Sequence, residues 1–154
     1  MEQPTINTPR CILRLATADD AVWLYELFND QEVIAYIEGI KWFNADIEST
    51  RAFIDSMNIN FQKRLGILWC VVYEYCPVGM IMVNDLNDKP FYTFALFPQF
   101  RGLELMEECI VGINSYILGS YHKIPSISSL DSNISALKLM QKLSMLHSDK
   151  NYKS

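Results

Sequence analysis

Residues 91–108, FYTFALFPQFRGLELMEE, constrain the fold more than any other stretch of the chain. Phe91–Phe97 is aromatic and apolar and reads as a strand. Pro98 ends it, because proline has no N–H to give to a sheet ladder. Gly102 follows, and Leu103–Leu118 then carries Leu103, Met106, Ile110 and Ile113 or Ile117 inward at helical spacing. A strand that turns sharply into a helix needs a sheet to sit in and a sheet face for the helix to cover. The same geometry leaves N–H groups free at a helix start, where the helix dipole supports an anion such as a pyrophosphate. Gly102 permits close backbone approach there, and Arg101 adds a guanidinium suited to a charge-assisted contact. One Gly and one Arg at a strand–helix junction also occur in ordinary connections, so these residues alone leave both readings open.

The rest of the chain supplies the sheet. Residues 11–15, CILRL, form a short strand, and Thr17 caps a helix running to about Phe28 with Asp19 and Asp20 near its first turn. Glu32–Ile37 adds a short helical turn that Gly39 breaks, and Asn44 to about Gln62 is a longer helix with Ile47, Phe53, Ile54, Met57 and Phe61 at helical spacing. Ile67–Tyr75 and Gly79–Val83 are strands joined by a turn at Cys76–Pro77, and Asn84–Lys89 is the loop leading to Phe91. Three neighbouring strands with short connections predict an antiparallel meander. Gly119 is read as the stop of the 103–118 helix. His122–Leu130 is a strand that Pro125 confines to an edge or bulge, and Ser132 or Asn133 caps a last helix reaching Leu143. The order predicts an α+β domain, a mixed sheet with helices on both faces, and excludes a doubly wound dinucleotide fold.

Composition limits the partners. Among 154 residues, 18 are acidic and 13 basic, for a net charge of −5, which argues against a nucleic-acid footprint. The acidity is concentrated: residues 1–62 hold 10 acidic and 4 basic side chains, a field that favours cationic or amine-bearing partners. No stretch approaches the ~18 apolar residues of a membrane span, and no basic segment followed by an apolar run opens the chain, so the expected location is the cytoplasm. Cys11, Cys70, Cys76 and Cys109 lack metal-ligand spacing, and Cys70 and Cys109 lie in apolar runs as small hydrophobes. No metal site is expected.

Five segments, in order, carry a family resemblance: TPRCILRLATADDA (8–21), NDQEVIAYI (29–37), ILWCVVYEYCPVGMIMV (67–83), FALFPQFRG (94–102) and NISALKLMQKLSM (133–145). Together they resemble the GNAT superfamily of acyl-coenzyme A N-acyltransferases, especially its ribosomal-protein N-terminal acetyltransferase branch. The resemblance covers residues 8–145 as a single domain and leaves 146–154 as a short polar tail. It implies acetyl-coenzyme A as cosubstrate and a protein N-terminus or small amine as acceptor. The pantetheine arm is expected against the backbone at Ala95, Leu96 and Phe97. The pyrophosphate is expected over Gln99, Arg101, Gly102, Leu103 and Glu104, with Asn133 on the coenzyme side. Direct attack of the amine is implied, with a backbone N–H near Leu96 polarising the thioester carbonyl and positioning supplying much of the rate. Glu32 and Glu38, on the acceptor side, are the carboxylates expected to take the amine proton.

The departures carry expectations of their own. The family loop has Gln or Arg, two residues, Gly, one residue, then Gly or Ala; Gln99 and Gly102 fit, whereas Glu104 stands at the small position and opposes a pyrophosphate. Met140 occupies a place where several members carry a tyrosine acid, and Ser144–Met145 replace Gly-Phe. The family's last two strands are expected to be absent, which would expose a sheet edge and favour a homodimer across it. The alternative function is a catalytically impaired domain of the same fold, serving coenzyme binding, protein interaction or assembly. His122, His147, Asp85, Tyr92, Thr93, Trp42, Phe43 and Tyr121 are read as structural or surface residues rather than catalytic ones.

Overall fold

Alternation along the strands sets the architecture of the protein, for which a computed structural model describes residues 4–34 and 46–127. The strands are β1 (Ile6–Asn7), β2 (Cys11–Leu15), β3 (Gly66–Tyr73), β4 (Cys76–Asn84), β5 (Phe91–Leu96) and β6 (Ser126–Ile127). They lie in the order β1-β2-β3-β4-β5-β6, antiparallel throughout except for the parallel pair β5–β6. On β3, Ile67, Trp69 and Val71 face one side while Leu68 and Cys70 face the other, and both sets are buried. Burial on both faces explains why the strand reads as a continuous apolar run rather than as an alternating one.

Each face has its own helical cover. α1 (Ala21–Asn29) and α3 (Ile47–Gln62) bury Leu24, Phe28, Phe53, Ile54 and Met57 against Leu68, Cys70, Met80 and Met82. On the opposite face α4 (Leu105–Tyr121) buries Met106, Cys109, Ile110, Ile113 and Ile117 against Leu13, Trp69, Ile81 and Tyr92. α2 (Gln31–Ile34) is a single turn following α1. The expected mixed sheet with helices on both faces is therefore what forms. Cys70 and Cys109 are buried as small hydrophobes.

Polar anchors fix the elements to one another. The Asp20 carboxylate accepts a forked pair from Arg14, at 2.8 and 2.9 Å, together with the Trp23 indole N–H and the Thr17 N–H. The Tyr92 hydroxyl donates to Asn114 Oδ1 at 2.5 Å, tying β5 to α4 inside the core. The Trp69 indole N–H reaches the Pro4 carbonyl at 2.8 Å.

Several sequence expectations need correction. The β3–β4 turn is Glu74–Tyr75, both at positive φ, while Cys76 and Pro77 already belong to β4. Tyr73 pairs with Cys76, so the connection is a two-residue turn whose twist matches the strands. Pro77 is tolerated because it lies opposite Val72, where the register shifts at a bulge. α4 does not stop at Gly119; it continues to Tyr121 and ends on His122 at φ 59°, whose N–H bonds to the Leu118 carbonyl. Leu103 precedes the helix and is exposed rather than inward. In place of a strand beginning at His122, β6 covers Ser126–Ile127, with Pro125 just before it. Glu38, Trp42, Phe43, Asn133, Met140, Ser144, Met145 and His147 lie outside the described residues, as do the last predicted helix and the sheet edge beyond Ile127.

Candidate functional site

The backbone at the end of β5 sorts its donors by direction. Phe97 donates its N–H to the Val78 carbonyl at 2.9 Å, next to the Gly79↔Leu96 pair. That bond makes Gly79↔Leu96 a non-hydrogen-bonded pair, so the N–H and C=O of Leu96 point away from β4. Of the three residues expected to meet a pantetheine arm, Leu96 keeps an N–H on the outer side of the strand and Phe97 has committed its own to β4. Ala95 and Leu96 are buried, and Phe97 is half-buried against the α1–α3 side. The described pairing with β6 ends at Tyr92↔Ile127, upstream of these residues.

Past Phe97 the chain makes one 3-10 turn, Pro98–Phe100, begun by proline's fixed φ. Phe100 donates its N–H to Phe97 and Arg101 donates its own to Pro98, and the Phe100 ring packs edge-on against Tyr73 at 6.1 Å. Gly102 then takes φ +87°, and a Cβ there would meet nothing within 4 Å. The close approach that the glycine allows is thus open on the protein side. Gln99, Leu103 and Glu104 are exposed around it.

Glu104 is the unexpected part of this loop. It caps α4 in the left-handed region, at φ 61° and ψ 26°, where glycine is favoured and a side chain costs about 1 kcal/mol. The position that the resemblance reserves for a small residue is therefore also one whose backbone suits glycine. Glu107 and Glu108 add two more carboxylates to the first turn of α4.

Glu108 is drawn away by groups the sequence reading did not single out. Its Oε2 accepts from the Thr8 hydroxyl at 2.6 Å and the Arg10 N–H at 2.7 Å, and its Oε1 accepts from Arg10 Nε at 2.8 Å. Partial burial would raise this carboxyl, but the Thr8 and Arg10 hydrogen bonds outweigh it and hold the group below its usual range. The clamp fastens the β1–β2 turn to α4 and offsets one negative charge near the helix start. A contact spanning about a hundred residues has no local signal in the sequence.

Glu32 and Arg101, expected in different roles, come together: Glu32 Oε1 lies 4.0 Å from Arg101 Nη1. Of the residues read as structural, Tyr92 is buried against Asn114, and the Tyr121 ring carries Arg64 above it at 4.3 Å. His122 is exposed at the end of α4, and Asp85 accepts the Lys89 N–H in its loop. Among the described residues no group of His, Cys, Asp and Glu is arranged to hold a metal ion. No helix among them is long and apolar enough to cross a membrane.

Residues 10–145 match the family model described as an acetyltransferase (GNAT) domain. Solved structures with the same fold include RimL, a ribosomal L7/L12 alpha-N-protein acetyltransferase in complex with coenzyme A. It is 14% identical with a TM-score of 0.77, covering 90% of this chain and 82% of that one. The ribosomal-protein-S5-alanine acetyltransferase from Vibrio fischeri is 14% identical with a TM-score of 0.78, covering 91% and 81%. MccE, a microcin C7 self immunity acetyltransferase in complex with acetyl-CoA and AMP, is 17% identical with a TM-score of 0.74, covering 87% and 77%. No curated protein sequence matches the chain.

Proposed function

The chain belongs to the GNAT acetyltransferase family, and on that premise we propose that it transfers an acetyl group from acetyl-coenzyme A to a primary amine by direct attack. The acceptor is a protein N-terminus or a small amine. One observation carries the reading: the outward N–H of Leu96, the open Gly102 at positive φ, the Arg101 guanidinium and the start of α4 follow one another within ten residues.

These residues fit the coenzyme in kind. Arg101, Gly102 and the N–H groups opening α4 would hold a pyrophosphate, and the outward backbone groups of Leu96 would meet the pantetheine arm, those of Ala95 being turned to Met80 on β4. Acetyl-coenzyme A, when bound, supplies a thioester carbonyl open to attack by an amine. Leu96 contributes a rigid N–H donor, already oriented by the β4–β5 ladder, for charge developing on oxygen. We assign acceptance of the proton that the amine loses to Glu32, an exposed carboxylate on α2. The acidic first part of the chain supports a cationic acceptor.

A second reading, a domain of this fold with impaired catalysis that serves as a binding or assembly module, is favoured by one observation: the Glu104 carboxylate stands at the cap of the anion-binding helix. Calorimetric titration with acetyl-coenzyme A, followed by mass spectrometry of an amine panel, separates the two. Saturable binding with acetyl transfer to an amine is the expected result. Binding without transfer to any amine supports the second reading, and no heat at millimolar ligand overturns the first.

A further inference from the structure

Cys11, Cys70 and Cys109 are all closed to solvent, and two of them share one side of the sheet. Cys70 packs on the α1–α3 side, whereas Cys11 on β2 and Cys109 on α4 belong to the core on the opposite side. The Glu108 clamp draws that pair together, because the Arg10 N–H and Nε bind Glu108 one residue before each cysteine. Thr8 completes the link: its hydroxyl accepts the Cys11 N–H at 2.9 Å and donates to Glu108 at 2.6 Å. The β1–β2 turn also lies close on the helix, for a Cβ on Gly112 would stand 3.3 Å from methyl groups of both Ile6 and Thr8.

We propose that Cys11 and Cys109 are a redox-sensitive pair, which an oxidant of the peroxide class closes into a disulfide that staples the β1–β2 turn to α4. The inference is independent of the acetyltransferase reading. Thiolate is the reactive form of cysteine. Burial raises both thiols; interaction with Cys109 lowers Cys11 again in part, while Cys11 and Glu108 raise Cys109 further. Cys11 therefore ionises first. Its thiolate attacks one peroxide oxygen, the O–O bond breaks, and the departing hydroxide leaves as water with the Cys11 proton, giving a sulfenic acid. The Cys109 sulfur then attacks the sulfenic sulfur, and its proton leaves with the displaced hydroxide as a second water. The two thiols give up two electrons, and one peroxide becomes two waters. Burial makes the pair slow to react, because oxidant enters only when the two-residue strand β1 lifts from the end of the described sheet. The new bond then holds shut the opening that admitted the oxidant. It joins residues 11 and 109, a long closure that stabilises by constraining the unfolded chain.

Stoichiometric hydrogen peroxide on the folded, reduced protein, with exposed Cys76 first blocked by N-ethylmaleimide, tests this. A non-reducing peptide map is expected to join the Cys11 and Cys109 peptides at about 2 Da below their summed mass. The melting temperature is expected to rise by about 5 °C or more, and dithiothreitol to reverse both changes. Cys70→Ala is expected to keep the link, and Cys11→Ser or Cys109→Ser to abolish it and the gain in melting temperature. The map is read on the wild-type chain, so the result does not depend on any variant folding. Oxygen addition at Cys11 or Cys109 without the link, a link to Cys70, or thiols that survive peroxide unchanged each overturns the pair. A link without a gain in melting temperature overturns the staple.

Discussion

Gly79 and Ala95 approach so closely that a Cβ on Gly79 would lie 2.4 Å from the Ala95 carbonyl oxygen. The contact is with backbone, which cannot rotate aside as a side chain would. Gly79→Ala is therefore expected to force β4 and β5 apart beside Leu96 and to cost about 1–3 kcal/mol. Urea denaturation measures the loss, and acetyl-coenzyme A titration reports the displaced donor. A variant as stable as the wild type would show that the two strands separate freely at this point.

Glu104 combines a backbone cost with a charge, and two substitutions separate them. Glu104→Gly removes both the left-handed penalty and the carboxylate, and should raise stability by up to about 1 kcal/mol while tightening coenzyme A. Glu104→Gln keeps the backbone penalty and removes only the charge. It should tighten coenzyme A without the gain in melting temperature. Tighter binding in the glycine variant alone would assign the effect to the backbone and defeat the electrostatic account.

Acid should find Asp20 before it finds the rest of the core. Burial alone would raise this carboxyl, but hydrogen bonds from Arg14, Trp23 and the Thr17 backbone outweigh it and lower it to about 2. A folded-state value below the ordinary 3.8 means that the stabilisation is present above that range and is lost as pH falls from about 4 towards 2. Its size is about 2 kcal/mol. Urea midpoints measured from pH 6 to pH 2 should fall more steeply in this window for the wild type than for Asp20→Asn, which should already be weaker at neutral pH. Parallel curves would remove Asp20 as the cause.

Tyr92→Phe deletes the donor to a buried carbonyl oxygen, Asn114 Oδ1, without changing the ring that packs between β5 and α4. Loss of one buried hydrogen bond should cost about 1–2 kcal/mol. Asn114→Leu removes the same bond, so the double variant should lose less than the two single variants summed. Strictly additive losses would show that the hydroxyl and Oδ1 contribute independently.

Periodicity made most of the framework legible. α1, α3 and the meander β3–β4–β5 follow from apolar spacing, and Pro98 and Gly102 mark the strand–helix junction where the structure has it. The hairpin tip departs from the sequence pattern because Cys76–Pro77 carries a turn residue, whereas Glu74 and Tyr75 turn at positive φ with no Gly or Asn to signal it. Gly119 looks like a helix end, yet α4 runs on for two more residues because its N–H and C=O ladder continues until His122 reverses hand. The pairings that shape the candidate site, Glu108 with Thr8 and Arg10 and Glu32 with Arg101, join distant segments. Local sequence rules reach neither pair. The direction of the Leu96 and Phe97 N–H groups depends on the β4–β5 register, which no residue type announces.

The corrected hairpin has a practical consequence. Because the turn is Glu74–Tyr75, Cys76 opens β4 in solvent beside a fully exposed Tyr75, while Cys11, Cys70 and Cys109 are buried. The native chain thus presents one thiol to a bulky maleimide. Two residues further along the same strand, Val78 holds Phe97. A dye at Cys76 would sit on the β-strand that braces the end of β5, giving an optical reporter of that strand without engineering a single residue.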